Sequence, residues 1–278
     1  MTEDITPLLT RIAEALERLA PPPPPPWPLA AAKLFRCDPD DLSLRAAPDY
    51  PLSLALLLGV DRQKRIFHDN LDRFAKGLPA NAALLWGVRG AGKSSLVKAA
   101  FMSVAAEHDS LRLIEIEADH LDRVPRLFAR LRDHSERVVV FCDDLSFEAG
   151  AGEAKALKSA LEGGVAGPPP NVLFVATSNR RHLMPREHGS DDALMAAEDA
   201  EETVSVSDRF GLWISFPPMD QPTYLAAVAS YAATFDLQAD NLERRALQWS
   251  VIRGGRSGRV AYQFIRDLAG ELGRPLPL

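Results

Sequence analysis

The spacing of hydrophobic positions changes character twice along this chain of 278 residues. Between residues 6 and 19, Leu8, Leu9, Ile12, Leu16 and Leu19 recur at helical intervals on one face. A helix is expected there, with Thr6 able to cap it and Pro7 suited to its first turn. The proline run Pro21 to Pro26 stops it and favours a semi-rigid polyproline II spacer, which holds the helix away from the rest of the chain. From Leu52 the pattern changes. The short apolar runs Ala82–Trp86, Leu111–Ile116, Val138–Cys142, Val172–Ala176 and Leu212–Phe216 alternate with helical periodicity. A strand apolar on both sides is buried on both faces, and alternation of strand and helix predicts a parallel sheet covered by helices. After Pro217-Pro218 the strands cease. Residues 222–235, 240–252 and 257–272 are expected to be three helices, with Gly254-Gly255 breaking the chain before the third.

The expected architecture is therefore α/β, a three-layer core with a parallel five-stranded sheet, plus a small C-terminal helical domain. Its divisions are an amphipathic helix at 1–20, a proline-rich spacer and irregular segment at 21–50, the α/β domain at 51–218 and the helical domain at 219–278.

Composition narrows the picture. A net charge of −6 argues against a surface built throughout to grip nucleic acid, although a local basic patch stays open. Cys37 and Cys142 give neither a disulfide framework nor a zinc site, and Cys142 lies inside an apolar run as a small core residue. Met1-Thr2-Glu3-Asp4 carries acids where a secretory signal carries basic residues, and the longest apolar run, Pro51 to Val60, is too short to span a membrane. A soluble cytoplasmic protein is expected.

The first strand of the α/β region leads directly into Gly87-Val88-Arg89-Gly90-Ala91-Gly92-Lys93-Ser94, a full match to the phosphate-binding loop pattern. Glycines let such a backbone wrap with its N–H groups pointing inward at phosphate oxygens, and the helix that starts there adds its positive end. Lys93 is the expected partner of the β- and γ-phosphates and Ser94 of Mg²⁺, with Ser95 completing the nucleotide-binding stretch. Val138 to Cys142 then delivers Asp143-Asp144 to the carboxyl edge of the sheet, where ligands bind in such folds. Asp143 suits the Mg²⁺ shell and Asp144 the attacking water, with Glu148 an alternative base. At the tip of Val172–Ala176 stands Thr177-Ser178-Asn179. If its strand lies between the acid strand and the loop strand, Asn179 faces the γ-phosphate.

The stretches Leu85 to Lys98, Phe141 to Glu148, Leu161 to Gly164 and Ala176 to Leu183 together resemble a bacterial family of AAA+ ATP-binding proteins, known only as a domain of unknown function. The resemblance runs from about Leu56 to about Leu272. It implies an AAA+ core with a helical lid, Mg²⁺-dependent ATP binding and ring or partial-ring assembly, and it supplies no substrate. AAA+ proteins usually carry glutamate at the position of Asp144, but the paired acids of this family are similar to Asp143-Asp144. By the same resemblance Arg209, within Ser207 to Gly211, is the arginine that reaches a neighbouring subunit's γ-phosphate, or else a surface arginine paired with a nearby acid. Arg259, in preference to Arg256, is the nucleotide-sensing arginine of the lid. Leu58-Gly59-Val60 resembles the segment flanking adenine, although apolar residues there also suit a core.

The expected function is ATP hydrolysis coupled to remodelling of an unknown protein or nucleic-acid partner by a homo-oligomer. The alternatives are a nucleotide-gated binding protein with little turnover and a DNA-associated loader or motor. Arg180, Arg181 and His182 form a basic cluster that suits a partner or merely a solvated loop, and the acidic stretch Glu187 to Glu202 argues against nucleic acid on that face.

Overall fold

A computed structural model describes residues 5–19, 27–145, 157–159, 161–162, 168–179 and 209–276. Pro21 to Pro26, Glu148, Arg180 to His182, the acidic stretch and Ser207-Asp208 lie outside the described residues.

Helix α1, Thr6–Leu19, covers the first periodic segment, and its Leu8, Leu9, Ile12 and Leu16 are exposed. The sheet consists of β1 (Leu34–Cys37), β2 (Leu44–Ala47), β3 (Ala83–Gly87), β4 (Leu111–Ile116), β5 (Arg137–Cys142), β6 (Val172–Ser178) and β7 (Leu212–Phe216). Its order is β2-β1-β4-β5-β6-β3-β7. Every neighbouring pair is parallel except β1 with β2. The expected α/β class holds, and among the described residues the sheet has seven strands rather than the expected five, with β1–β2 its one antiparallel pair.

The two extra strands come from the segment expected to be irregular. They are short, and Arg36 and Arg45 interrupt their apolar character, so no periodic signal marks them. Tertiary contacts hold them instead. Trp27 is buried and donates its indole N–H to the carbonyl of Leu42 at 2.9 Å. The guanidinium of buried Arg112 on β4 donates to the carbonyls of Leu29 and Asp109. The described structure resumes at Trp27, within the segment 21–50 expected to be a spacer and irregular.

Helices α2 (Asp61–Ala75), α3 (Lys93–Ala105) and α4 (Val124–Leu131) are among those on the α/β part. Strand β5 shows why its apolar run is unbroken. Val138, Val140 and Cys142 face a layer with Trp27, Leu127, Phe128 and Leu131, while Val139 and Phe141 face Phe67, Leu71, Leu96 and Phe101 of α2 and α3. Both faces are covered, as a parallel sheet requires.

Three further helices come after β7: α5 (Gln221–Thr234), α6 (Leu242–Ile252) and α7 (Gly258–Glu271). The Asp220 carboxylate caps α5 by accepting from the N–H of Thr223, and the Ser257 hydroxyl caps α7 by accepting from Val260. Tyr224, Tyr231, Ala246, Phe264, Ile265 and Leu268 form their shared core. Leu52, Leu56 and Leu58 pack against that core, whereas Leu57 and Val60 belong to the α2–α3 side of the sheet. The segment 52–60 therefore runs along the seam between the two parts. Among the described residues no helix is long and apolar enough to cross a membrane.

Candidate functional site

Strand β6 lies between β5 and β3, so the ends of these three strands and the loop after β3 open onto one place. The loop's path depends on close approach. Gly87 has φ +136°, and a Cβ there would lie 2.2 Å from the carbonyl oxygen of Phe216 on β7. Gly90, at φ +78°, passes so near the start of α7 that a Cβ would lie 2.9 Å from the Ser257 hydroxyl. Only glycine allows both without displacing backbone or cap. Val88 supplies a carbonyl to the site, and Ala91 packs toward the α2–α3 core.

Lys93 is the first residue of α3 and is buried. Its ammonium donates to the carbonyls of Gly87 and Val88, each at 3.0 Å, and to Oδ1 of Asn179 at 2.8 Å. Burial pushes its pKa below the ordinary value, while Asp144 and Asp143 pull it back up and Arg259 lowers it. The Ser94 hydroxyl donates to Oδ1 of Asp143 at 2.5 Å. Asp144 has φ +58°, an uncommon conformation for a residue with a side chain, and its Oδ1 accepts from the amide of Asn179. Loop and sheet edge are thus one connected polar group.

This group lies at a cavity of about 930 Å³. Arg89, Gly90, Gly92, Lys93, Ser94 and Ser95 line it from the loop, Asp143, Asp144, Thr177 and Asn179 from the sheet edge, and Arg259 from α7. The remaining lining is mixed: Leu52, Leu56, Leu57, Tyr231, Phe235 and Tyr262 give apolar and aromatic surface, and Ser53, Thr234, Gln263 and Arg266 are polar. The segment read as flanking adenine thus contributes through Leu56 and Leu57 rather than through Leu58-Gly59-Val60. Arg256 is exposed and is not among the lining residues, whereas the N–H of Arg259 donates to the carbonyl of Gly90 at 3.3 Å.

Arg209 lies elsewhere. Strand β7 starts level with the start of β3, because Leu212 pairs with Ala83, and the loop leaves the far end of β3. Arg209 is therefore at the opposite end of the sheet from Lys93, separated by a strand length of about 17 Å at roughly 3.3 Å per residue. Within its own chain it is paired with Glu162.

Two further residues take part without a role assigned from the sequence. Thr177 bonds to both acids, and the hydroxyl of Tyr50 donates to that of Ser95 at 3.1 Å. Thr177 belongs to the polar trio at the tip of β6, whereas Tyr50 lies outside every motif.

Among the described residues no cluster of three His, Cys, Asp or Glu side chains is placed to hold a metal. A hydroxyl and one carboxylate are present, which is the small oxygen donor set that suits Mg²⁺ when phosphates and water supply the remainder.

Over residues 31–272 the chain matches the family described as "Protein of unknown function (DUF815)". The match begins earlier than the motif resemblance and takes in β1 and β2. No curated protein matches the chain. In three dimensions it is similar to the RuvB Holliday junction branch migration motor of Thermotoga maritima, with a TM-score of 0.54 and 17% identity over 81% of this chain and 67% of that one. It is also similar to the Orc1 protein of Aeropyrum pernix, solved in complex with DNA, with a TM-score of 0.57 and 17% identity over 81% of this chain and 61% of that one. At this identity the likeness is one of fold, that of AAA+ P-loop proteins.

Proposed function

Because the chain belongs to the DUF815 family of proteins of unknown function, and its fold is that of AAA+ proteins, we propose that it binds Mg·ATP at the β3–α3 loop and hydrolyses it to ADP and phosphate. The observation that carries this reading is the convergence of Lys93, Ser94, Asp143, Asp144 and Asn179 on one cavity that elsewhere presents apolar and aromatic surface from Leu52, Leu56, Leu57, Tyr231, Phe235 and Tyr262. A polyanion fits one end and a flat base the other.

Each residue has a role in that reading. The loop backbone from Gly87 to Ser95 and the start of α3 cradle phosphates, and Lys93 places a buried positive charge against the β- and γ-groups. Ser94 and Asp143 would hold Mg²⁺, which supplies charge neutralisation for the phosphates when bound. Asp144 orients the attacking water and takes up its proton, while Asn179 and Arg259 contact the γ-phosphate from the sheet edge and from α7. Arg209 is too far from its own loop and serves a neighbour's γ-phosphate, so the working form is a homo-oligomeric ring or partial ring. Hydrolysis drives remodelling of a protein or nucleic-acid partner, and α5 to α7 act as the nucleotide-responsive lid. A steady-state phosphate-release assay tests the reading: Mg²⁺-dependent turnover supports it, and folded protein that releases no phosphate opposes it.

One observation favours a slower variant of this function. Asp144 is a shorter acid than glutamate and is held in a left-handed turn with its carboxylate on Asn179. A nucleotide-gated binding protein with little turnover fits that restraint, and the ratio of bound to hydrolysed ATP in the same assay separates the two.

A further inference from the structure

The ladder between β5 and β6 ends with the pair Cys142 and Ala176. Beyond it, Thr177 holds the next three residues of the opposite strand tip. Its hydroxyl donates to Oδ1 of Asp143 at 2.5 Å and accepts the backbone N–H of Asp144 at 2.9 Å. Its carbonyl accepts the N–H of Leu145 at 2.7 Å.

The direction of the side chain is set by the strand period. Val175 faces the α2–α3 layer, so Thr177, two residues on, points the same way, toward Ser94 at the start of α3. There the two hydroxyls meet on a single carboxylate oxygen, since Ser94 also donates to Oδ1 of Asp143 at 2.5 Å. Asp144 occupies its left-handed conformation, φ +58°, between these anchors. That turn presents its N–H to Thr177 and its carboxylate to Asn179. Thr177 is buried, with 1% of its surface exposed, so water cannot replace its hydroxyl in these bonds.

We infer that Thr177 is a positioning residue for both acids of the site. Its hydroxyl fixes the carboxylate of Asp143 beside Ser94, and it holds the backbone of Asp144 in the turn that aims that side chain into the cavity. Thr177 acts through the two acids, which makes it distinct from the groups that touch phosphate or water. The inference rests on the Mg·ATP reading, because it assigns the two acids the roles given there.

The test pairs Thr177→Val, which keeps size and branching but removes the hydroxyl, with Thr177→Ser, which keeps the hydroxyl. Calorimetry measures ATP affinity without metal and across a Mg²⁺ titration, and phosphate release is followed in parallel. In Thr177→Val the Mg²⁺ concentration giving half of the metal-dependent gain in affinity should rise by about 10- to 100-fold, with metal-free affinity within about 3-fold of the wild type. Thr177→Ser should restore the Mg²⁺ dependence. A Thr177→Val protein with wild-type Mg²⁺ dependence, or a serine variant as impaired as the valine one, overturns the inference. If Thr177→Val does not fold, Thr177→Ala is compared with serine in its place.

A wild-type protein that binds no nucleotide would overturn the proposed function instead. The positional claim is then decided by a crystal structure of the nucleotide-free variant lacking the hydroxyl. Asp144 leaving φ near +58° supports it, and Asp144 unchanged with Asp143 still on Ser94 overturns it.

Discussion

The ammonium of Lys93 donates to Oδ1 of Asn179 at 2.8 Å, joining the first residue of α3 to the tip of β6. The amide of Asn179 passes the connection to the carboxylate of Asp144. The group that would meet the γ-phosphate and the group that would orient water are therefore set by one side chain between them.

Burial holds the Lys93 ammonium below its ordinary pKa of 10.5, and a bound phosphate would raise it. A group with a higher pKa in the complex contributes fully below its free value, and that contribution is lost as pH rises through the bound value. ATP affinity is thus expected to fall on the alkaline side, with proton uptake on binding. Calorimetry in two buffers of different ionisation enthalpy measures this directly. No uptake at any alkaline pH would mean that Lys93 is not in contact with the anion.

Asp144→Asn should retain Mg·ATP binding and reduce turnover by at least about 100-fold, the usual loss for a positioned general base. Single-turnover phosphate release checks this beside Glu148→Gln. An active Asp144→Asn protein with an inactive Glu148→Gln protein would transfer the role of base to Glu148.

Arg209 is expected to act between subunits. Turnover per chain should rise with protein concentration, and Arg209→Ala should bind ATP normally yet hydrolyse it poorly. An equimolar mixture of Arg209→Ala and Lys93→Ala should regain some activity, because one interface joins an intact loop to an intact arginine. Concentration-independent turnover by a strict monomer, verified by light scattering, would leave Arg209 as a surface partner of Glu162.

Trp27 marks where the arm ends. Its indole N–H is bonded to Leu42, its ring stacks on His134, and Arg130 lies over its face. Deleting residues 1–19 should leave stability and ATP affinity unchanged, whereas removing 1–28 also removes this anchor. Trp27→Ala should lose about 3–5 kcal/mol in urea unfolding. A loss below about 1 kcal/mol, the scale of an ordinary substitution, would show that the β1–β2 hairpin does not depend on it.

Contiguity decides how much of this protein is legible in its sequence. Strands β3 to β6 announce themselves because both their faces are buried, β7 by its apolar run although it lies at the sheet edge with Trp213 exposed, and the glycine loop because its eight residues are consecutive. Strands β1 and β2 are held by Trp27, Leu42 and Arg112, and the contact from Arg112 to Leu29 crosses 83 positions of sequence. No local pattern encodes that. Thr177 meets Asp143 across 34 positions and Tyr50 meets Ser95 across 45, so their places in the site emerge only once the sheet is assembled. The strand order that brings Asn179 between loop and acids is an expectation of the fold class, and the sheet has that order.

The most direct test of the central claim is steady-state phosphate release from Mg·ATP by the wild-type protein and by Lys93→Ala, with folding of both checked by circular dichroism. The wild type should release phosphate only when Mg²⁺ is present. Lys93→Ala should lose at least about 100-fold of that rate, since removing a buried charged hydrogen-bonding partner of phosphate forfeits roughly 3 kcal/mol. Release that is absent from the folded wild type, or equal in the two proteins, would contradict an ATPase site at this loop.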